Sequence, residues 1–303
     1  MGKAKIIHDD SWMSSLSNVL SGFLYDFTSD GNYNLGKLKH SDVVVDGKHY
    51  KVMSKLLVSG RMFECFRLTL EDDSENDTEL VLRRMTELFK RQHPECSGLL
   101  AHEYELYKEM NLSHNDGLID IVDYIPEEEV VLSKLVPGLS LDRFVEQNPE
   151  YYFKRRTTIK MLKQLIKTVD FLHKKGLCHF NISPENILVK MTEEHDIMLL
   201  NIGLAAAYNK GVRFAPFLTN GLPPEMTNAE PLDKQTDIFE IGQIIKYIIN
   251  VRKKDPTRAS NHLKMIAMKC TKRKREERYS NVREILKDIE VWEHKYDNFF
   301  DGK

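Results

Sequence analysis

The chain has 303 residues, of which 41% are hydrophobic and 30% are charged, and this is enough apolar material for one globular unit of this size. Its formal net charge of -2 gives no general reason to expect binding to nucleic acid or to a membrane surface. The four cysteines lack the paired spacing of a metal site, and no apolar run is long enough for a signal peptide or a membrane span. We therefore expect a cytoplasmic protein, and two basic runs at 252–254 and 272–275 leave a nuclear location open.

Residues 1–44 contain a predicted amphipathic helix, because large apolar side chains between Trp12 and Phe27 recur at helical spacing. We expect its apolar face to pack on the domain that follows. Binding of a protein partner is the alternative. Membrane contact is disfavoured because the opposite face is not rich in Lys or Arg.

Strands and one long helix are predicted in the middle of the chain. Residues 57–68 fit two strands around a loop, and the acidic stretch 71–79 is the expected hairpin loop after them. Residues 79–83 form an apolar strand, and residues 131–138 form another that runs into a Pro-Gly turn. Residues 159–174 carry apolar side chains at helical spacing and predict an amphipathic helix.

Four short segments in the second half carry the most specific pattern. Residues 179–188 read His-Phe-Asn-Ile-Ser-Pro-Glu-Asn-Ile-Leu, and Leu-Leu-Asn-Ile-Gly follows at 199–203. Pro-Pro-Glu comes at 223–225 and Thr-Asp-Ile-Phe at 236–239. In their order and spacing these segments resemble the catalytic loop, the metal-binding triplet, the end of the activation segment and the buried helix of protein kinases.

The resemblance implies an α+β, two-lobed protein-kinase-like fold, with an antiparallel sheet plus one helix in the N-lobe and a mostly helical C-lobe. We place the kinase-like domain at 45–292, with the N-lobe at about 45–135 and the C-lobe at about 136–292. Residues 1–44 are then an N-terminal extension, and residues 293–303 are a C-terminal tail.

Amides replace both carboxylates on which kinase chemistry depends. Asn181 stands where a kinase has the Asp that accepts the substrate hydroxyl proton, and Asn201 stands where it has the magnesium-binding Asp. An amide has almost no basicity, and magnesium favours anionic oxygen ligands. Ser183 also stands where many kinases have a Lys that neutralises charge on the transferred phosphoryl group. The resemblance therefore predicts neither a working catalytic residue nor a protein-bound metal.

The phosphate-binding positions implied by the resemblance are partly retained. Asn186 keeps the second metal-binding position of the catalytic loop. Gly60 is the only one of three loop glycines that remains, because Val58 and Phe63 occupy the others. Side chains at these positions are expected to stiffen or obstruct a loop whose backbone must approach phosphates.

The resemblance also implies an ion pair and a hinge. Arg83 occupies the position of the kinase Lys that anchors ATP. Arg84 would occupy it if the strand were aligned one residue later. Glu103 is its expected partner on a helix, with Glu105 as the runner-up, and Ser133 is the expected gatekeeper before the hinge.

Residues with structural roles in kinases are retained. Glu225 ends the activation segment, Arg278 is expected to pair with it, and Asp237 lies on the expected buried helix. His179 is predicted to be a hydrogen-bonded core residue without a chemical role.

The replacements at the catalytic, metal-binding and loop-glycine positions predict a pseudokinase, which is a non-enzyme. It would act through protein–protein interaction as a scaffold or allosteric regulator of an active kinase or other signalling enzyme. Two alternatives stay open: an atypical active Ser/Thr protein kinase, and a module that binds nucleotide without metal. No cofactor is expected beyond weak ATP binding, and magnesium is not expected. The expected partner is a protein, with neither nucleic acid nor membrane involved.

Overall fold

The computed structural model describes residues 4–8, 41–56, 62–70, 79–148, 155–192, 195–202, 222–251 and 259–300. The chain forms two compact units. The first comprises Met1–Tyr104 and Asp120–Leu135, and the second comprises Glu105–Ile119 and Val136–Lys303. No helix within the described ranges combines the length and the apolar character that a membrane span requires.

A seven-stranded antiparallel sheet forms the body of the first unit. The strand order is β1-β2-β3-β4-β5-β7-β6, so that most strands pair with their neighbour in sequence. The strands are β1 (Lys5–His8), β2 (Ser41–Val45), β3 (Lys48–Leu56), β4 (Phe63–Leu70), β5 (Leu80–Met85), β6 (Ile121–Ile125) and β7 (Val130–Lys134).

A two-residue hairpin turn joins β2 to β3. Val45 pairs with Lys48, and the turn residues Asp46 and Gly47 have φ angles of 48° and 81°. Two consecutive positive φ angles define a type I′ turn, for which Asp-Gly is a preferred sequence. The turn therefore sets the register of the hairpin.

The sheet curls around an apolar core. The backbone N–H of Ala4, next to β1, donates to the Asp123 carboxylate on β6 over 2.8 Å. Because β1 and β6 are the two outermost strands, this bond brings the opposite edges of the sheet together. The buried side chains inside include Val43, Val52, Phe66, Leu68, Leu82 and Leu132.

Two helices follow β5 in sequence, α1 (Glu87–Gln92) and α2 (Leu99–Glu109). The Thr86 hydroxyl caps α1 by accepting a hydrogen bond from the backbone N–H of Phe89 over 3.3 Å. The predicted sheet and helix of the N-lobe are thus confirmed, and α1 is a short additional helix that the sequence analysis did not include.

Helices make up most of the second unit. The predicted helix at 159–174 is confirmed as part of α4, which begins at Arg155. A small antiparallel sheet has the order β10-β9-β8. The elements are β8 (Gly138–Ser140), α3 (Leu141–Gln147), α4 (Arg155–Lys174), β9 (Ile187–Lys190), β10 (Ile197–Leu199), α5 (Pro224–Thr227), α6 (Lys234–Val251), α7 (Ala259–Cys270) and α8 (Val282–Phe300).

Helix α6 forms the centre of the second unit. Its residues Ile238, Ile241 and Ile245 are completely buried. Gly242 lets α7 approach closely, since a Cβ at this position would lie 2.5 Å from the Cβ of Cys270. The packing of α6 therefore explains both its run of isoleucines and its central glycine.

The predicted domain bounds stay a prediction, and the elements cross them at both ends. Strand β1 and most of β2 lie within residues 1–44, and α8 continues to Phe300, past residue 292. The amphipathic helix predicted between Trp12 and Phe27 lies outside the described residues.

Candidate active site

The loop after α4 is held to α6 by its own backbone N–H groups. The two carboxylate oxygens of Asp237 accept hydrogen bonds from the N–H groups of His179 and Phe180, over 2.9 and 2.8 Å. The Glu240 carboxyl accepts a third from the N–H of Ile182 over 2.8 Å. Two acidic side chains on one buried helix thus position the backbone of the candidate catalytic loop.

His179 is confirmed as a hydrogen-bonded core residue. Its side chain is completely buried, and its Nε2 lies 2.9 Å from the carbonyl oxygen of Leu200. Its Nδ1 accepts a hydrogen bond from the backbone N–H of Asn181 over 3.2 Å. Burial lowers the pKa of His179, despite the opposing charge of Asp237, and this favours the neutral ring that both bonds require.

Three of the predicted site residues form a hydrogen-bonded series of amides. The Nδ2 of Asn201 donates to the Oδ1 of Asn186 over 2.7 Å, and the Nδ2 of Asn186 donates to the backbone carbonyl of Asn181 over 2.9 Å. Asn201 has a φ of 61°, a left-handed conformation that Asn tolerates. The structure therefore brings the three asparagines together as the motif spacing implied.

This set of donor atoms does not fit a resident magnesium ion. Its side chains are neutral amides, and the oxygen of Asn186 already accepts a hydrogen bond from Asn201. Magnesium requires hard, preferably anionic oxygen ligands in near-octahedral geometry. We derive no chemical step that passes through a metal held by these residues.

Ser183 lies in the same loop and carries no charge to the site. It is buried, and within the described residues its hydroxyl has no hydrogen-bond partner. A short hydroxyl at this position cannot replace an extended ammonium group.

The first unit contains the predicted ion pair. Arg83 on β5 contacts Glu103 on α2 with 2.6 Å between Nη2 and Oε2, and the Glu103 side chain is completely buried. The ring of Phe63 lies 4.9 Å from the guanidinium carbon of Arg83. Phe63, at a position where the resemblance implies a glycine, therefore packs on Arg83, the cation to which the resemblance assigns contact with ATP.

The runner-up residues have other surroundings. Arg84 pairs with Glu64 over 2.6 Å, and Glu105 is exposed. Ser133 is nearly buried on β7 and pairs with Val81 of β5. Gly60 and Val58 lie outside the described residues, as does most of the segment that follows Asn201.

A second buried ion pair joins α5 to the segment before α8. Arg278 binds both oxygens of Glu225, over 2.7 and 2.9 Å, and the hydroxyl of Thr236 donates to the same carboxylate over 3.1 Å. Burial raises the pKa of Glu225, but the hydrogen bonds and charge of Arg278 outweigh it and bring the pKa below its ordinary value. The predicted pair is confirmed.

Glu240 is the site residue that the sequence analysis missed. Burial and the neighbouring charge of Asp237 raise its pKa well above the ordinary value, and its Oε1 has no hydrogen-bond partner within the described residues. The signal in the sequence was an acidic residue three positions after Asp237 inside an otherwise apolar helix.

Asp237 also belongs to a group of three side chains that are common metal ligands. Potential ligand atoms of His173, Cys178 and Asp237 all lie within 4.8 Å of one another. The Nε2 of His173 is 2.8 Å from a carboxylate oxygen that already accepts the N–H of His179. Hydrogen bonding accounts for this arrangement, and we assign it no metal.

Comparison with protein families and solved structures identifies similar proteins. A family model of the protein kinase domain matches residues 73–297. The PknI kinase domain of Mycobacterium tuberculosis superposes with a TM-score of 0.56 at 13% identity, covering 80% of this chain and 96% of that domain. At this identity the likeness establishes the fold alone.

Curated relatives are more similar in sequence. Smooth muscle myosin light chain kinase of Gallus gallus is 29% identical over 147 residues, which are 46% of this chain and 8% of that protein. Myosin light chain kinase 2 of Oryctolagus cuniculus is 26% identical over 175 residues, covering 55% and 28%. A probable serine/threonine-protein kinase of Clostridium acetobutylicum is 27% identical over 216 residues, covering 61% and 32%. The chain spans less than a third of the length of each.

These relatives contradict the prediction that the chain is not an enzyme. All three are named kinases, and the family model that matches is that of the protein kinase domain. The prediction relied on the missing carboxylates at Asn181 and Asn201, on Ser183 in place of a Lys, and on the two replaced loop glycines. Phosphoryl transfer passes through a loose transition state, for which positioning and electrostatic stabilisation supply most of the catalysis. Loss of a base and a metal ligand is therefore not sufficient to exclude activity.

Proposed function

The chain belongs to the protein kinase domain family, and on that premise we propose that it is an atypical protein kinase. It transfers the γ-phosphoryl group of ATP to a serine or threonine hydroxyl of a protein. The observation that carries the proposal is the hydrogen-bonded series Asn201, Asn186 and Asn181, which holds together the three positions that the motifs assign to the catalytic site, although the residues there carry no charge. The name of the Clostridium acetobutylicum relative, a probable serine/threonine-protein kinase, supports this class of acceptor.

The proposed step needs no strong base in the protein. The acceptor hydroxyl oxygen forms a bond to the γ-phosphorus as the bond from that phosphorus to the β,γ-bridging oxygen breaks, and ADP leaves. The hydroxyl proton passes to an oxygen of the transferred phosphoryl group, whose second pKa in the product is about 6, and then to water. The amide oxygen of Asn181 orients the hydroxyl by accepting its hydrogen bond.

The missing base sets the expected rate. A positioned general base typically contributes about 10²- to 10⁴-fold, and ordinary protein kinases turn over about 1–100 times per second. We therefore expect turnover that is about 10²- to 10⁴-fold slower than that of an ordinary protein kinase. The proposal is thus a slow kinase whose remaining catalysis comes from orientation.

ATP is proposed to bind without a magnesium ion held by the protein. The neutral side-chain amides of Asn186 and Asn201 support this, because they provide no anionic ligand for the ion. Thermal unfolding with ATP tests it, since a ligand at 100 times its dissociation constant stabilises the fold by about 2.7 kcal/mol. We expect the same stabilisation with and without magnesium. A shift that requires magnesium would overturn this part of the proposal.

The proposed partner is the protein substrate, or a signalling enzyme that the kinase phosphorylates. Dephosphorylated casein serves as a generic acceptor, with γ-labelled ATP as the donor and the full chain as the enzyme. We expect slow incorporation of label into casein or into the chain itself, with the modified hydroxyls located by mass spectrometry.

The matched variants change only the side chain at Asn181. Asn181→Ala retains the backbone carbonyl to which Asn186 donates, so that the loop keeps that bond while losing the orienting amide. We expect its rate to fall below that of the wild type, and the rate of Asn181→Asp to rise by at least about 10²-fold because a base is restored. Equal labelling by the wild type and Asn181→Ala would identify a contaminating kinase and refute the proposal.

A further inference from the structure

We propose that Glu240 is a positioning residue of the candidate catalytic loop, acting through the hydrogen bond that its carboxyl accepts from the backbone N–H of Ile182. This inference rests on the proposed function for its kinetic consequence, but its structural part stands independently. The bond is 2.8 Å long, and Glu240 is only 2% exposed.

The need for this anchor comes from the local backbone. Phe180 has a φ of 61°, a conformation that costs a bulky residue about 1–3 kcal/mol and persists only where the surroundings impose it. Asp237 accepts hydrogen bonds from the backbone N–H groups of His179 and Phe180. The N–H groups of the next two residues bind other acceptors. Asn181 donates its own N–H to the ring of His179. Ile182 is thus the first residue after Asn181 whose backbone is attached to α6.

Glu240 therefore completes the attachment on the far side of Asn181. With Asp237 before it and Glu240 after it, the side chain of Asn181 projects from a peptide segment held at both ends. A displacement of about 1 Å in a group that orients a reactant can cost about 10²-fold in rate. Removal of the second anchor should consequently lower turnover without removing any group that binds nucleotide.

Protonation of the Glu240 carboxyl is compatible with this role. Burial and the charge of Asp237 both favour the protonated acid, whose carbonyl oxygen still accepts the N–H of Ile182. A glutamine amide offers the same carbonyl oxygen at the same reach. We therefore expect the acceptor oxygen that binds the N–H of Ile182, rather than a negative charge, to position the loop.

Two substitutions separate the acceptor from the charge. Glu240→Gln keeps the acceptor oxygen, and Glu240→Met keeps the approximate volume but leaves the N–H of Ile182 without its partner. Ile248→Val is the matched control, since Ile248 is a buried residue two turns further along α6 and its truncation costs about 0.5–1.5 kcal/mol without touching the loop.

Amide hydrogen exchange, measured residue by residue by NMR on the full chain, tests the structural part. We expect exchange at Ile182 to be at least about tenfold faster in Glu240→Met than in the wild type, and unchanged in Glu240→Gln and Ile248→Val. The N–H groups of His179 and Phe180 are internal references because Asp237 still binds them. Unchanged exchange at Ile182 in Glu240→Met, or equally fast exchange in Glu240→Gln, would overturn the proposal.

Phosphoryl transfer tests the kinetic part in the same three variants. We expect kcat to fall by at least about tenfold in Glu240→Met with little change in KM for ATP, and to be retained in Glu240→Gln. An equal loss of kcat in Ile248→Val would reduce Glu240 to a purely structural residue and refute its positioning role. If the wild type transfers no phosphate, the proposed kinase activity fails, while the exchange experiment still decides whether Glu240 holds the loop.

Discussion

Arg278→Ala is expected to destabilise the second unit severely, because it removes the cation that binds both oxygens of the buried Glu225 carboxylate, while Arg275 approaches that carboxylate only to 4.0 Å. The Arg278 side chain is 0% exposed and that of Glu225 is 1% exposed, so water cannot replace the lost partner. Arg278 also donates to the backbone carbonyls of Lys272 and Gln235, each over 2.8 Å. Breaking a buried pair by removing one partner typically costs about 3–5 kcal/mol.

The measurements are urea denaturation and thermal unfolding of the full chain, both monitored by circular dichroism. For a cooperative unit of about 180 residues, about 2–4 °C of Tm is lost per kcal/mol, so a loss of 4 kcal/mol corresponds to about 10 °C. Arg283→Ala is the matched control, since Arg283 pairs with Asp170 at the surface and is 56% exposed. Its loss should cost at most about 1 kcal/mol. Similar losses in the two variants would refute the reasoning.

The same pair makes a prediction about pH. The folded-state pKa of Glu225 lies below its ordinary value of 4.5, so the unfolded chain binds a proton there more readily than the folded chain. The stability that this carboxylate contributes is complete above 4.5 and is lost as the pH falls through the lower folded-state pKa. The cost of Arg278→Ala, taken from urea curves at several pH values, should therefore shrink as the pH is lowered toward that range. A cost that stays constant with pH would contradict this assignment.

Substitutions at three further positions test other parts of the structure. Asn201→Asp restores an anionic ligand, so stabilisation by ATP in thermal unfolding should become magnesium-dependent. An unchanged response would contradict the conclusion that the neutral amide at this position prevents magnesium binding. Arg83→Met should cost about 3 kcal/mol or more, because Glu103 is left buried without its cation, whereas Arg83→Lys should cost less; equal losses in denaturation would argue against the pair. Gly242→Ala should also destabilise the fold, by about 1–3 kcal/mol, since its Cβ would lie 2.5 Å from that of Cys270; an unchanged urea midpoint would contradict this close approach.

The motif spacing was sufficient to predict much of the site. The positions of Asn181, Asn186 and Asn201 followed from short segments in a fixed order, and the structure brings them within hydrogen-bond reach. The pairing of Arg83 with Glu103 was also predicted from the resemblance to protein kinases. Such predictions succeed because each of these residues belongs to a short sequence segment that the family's fold places in the same position.

Two features escaped prediction because they depend on contacts distant in sequence. Strand β1 joins the sheet through pairing with β2, and Ala4 bonds to Asp123, 119 residues away. Glu240 was not singled out in the sequence, because its partner, the backbone N–H of Ile182, lies 58 residues away and meets it only in the fold. Neither hydrophobic periodicity nor local propensity carries information about such partners.

The prediction of a non-enzyme failed for a chemical reason. It judged activity from the identity of the side chains at the replaced positions Asn181, Asn201, Ser183, Val58 and Phe63, whereas phosphoryl transfer depends chiefly on the positions of the reacting groups. The backbone bonds that fix the loop around Asn181 were not visible in the sequence.

The amino-acid sequence by itself determined the family frame, the long amphipathic helix α4 and the chemical identity of each candidate site residue, because these reside in local patterns. The tertiary structure decided which groups hold that site together. Asp237 and Glu240 become loop anchors, and Arg278 becomes the counterion of Glu225, only when chain folding removes water from them. Burial turns an ordinary charged residue into a strong structural constraint, since a buried polar group must find its partner within the protein.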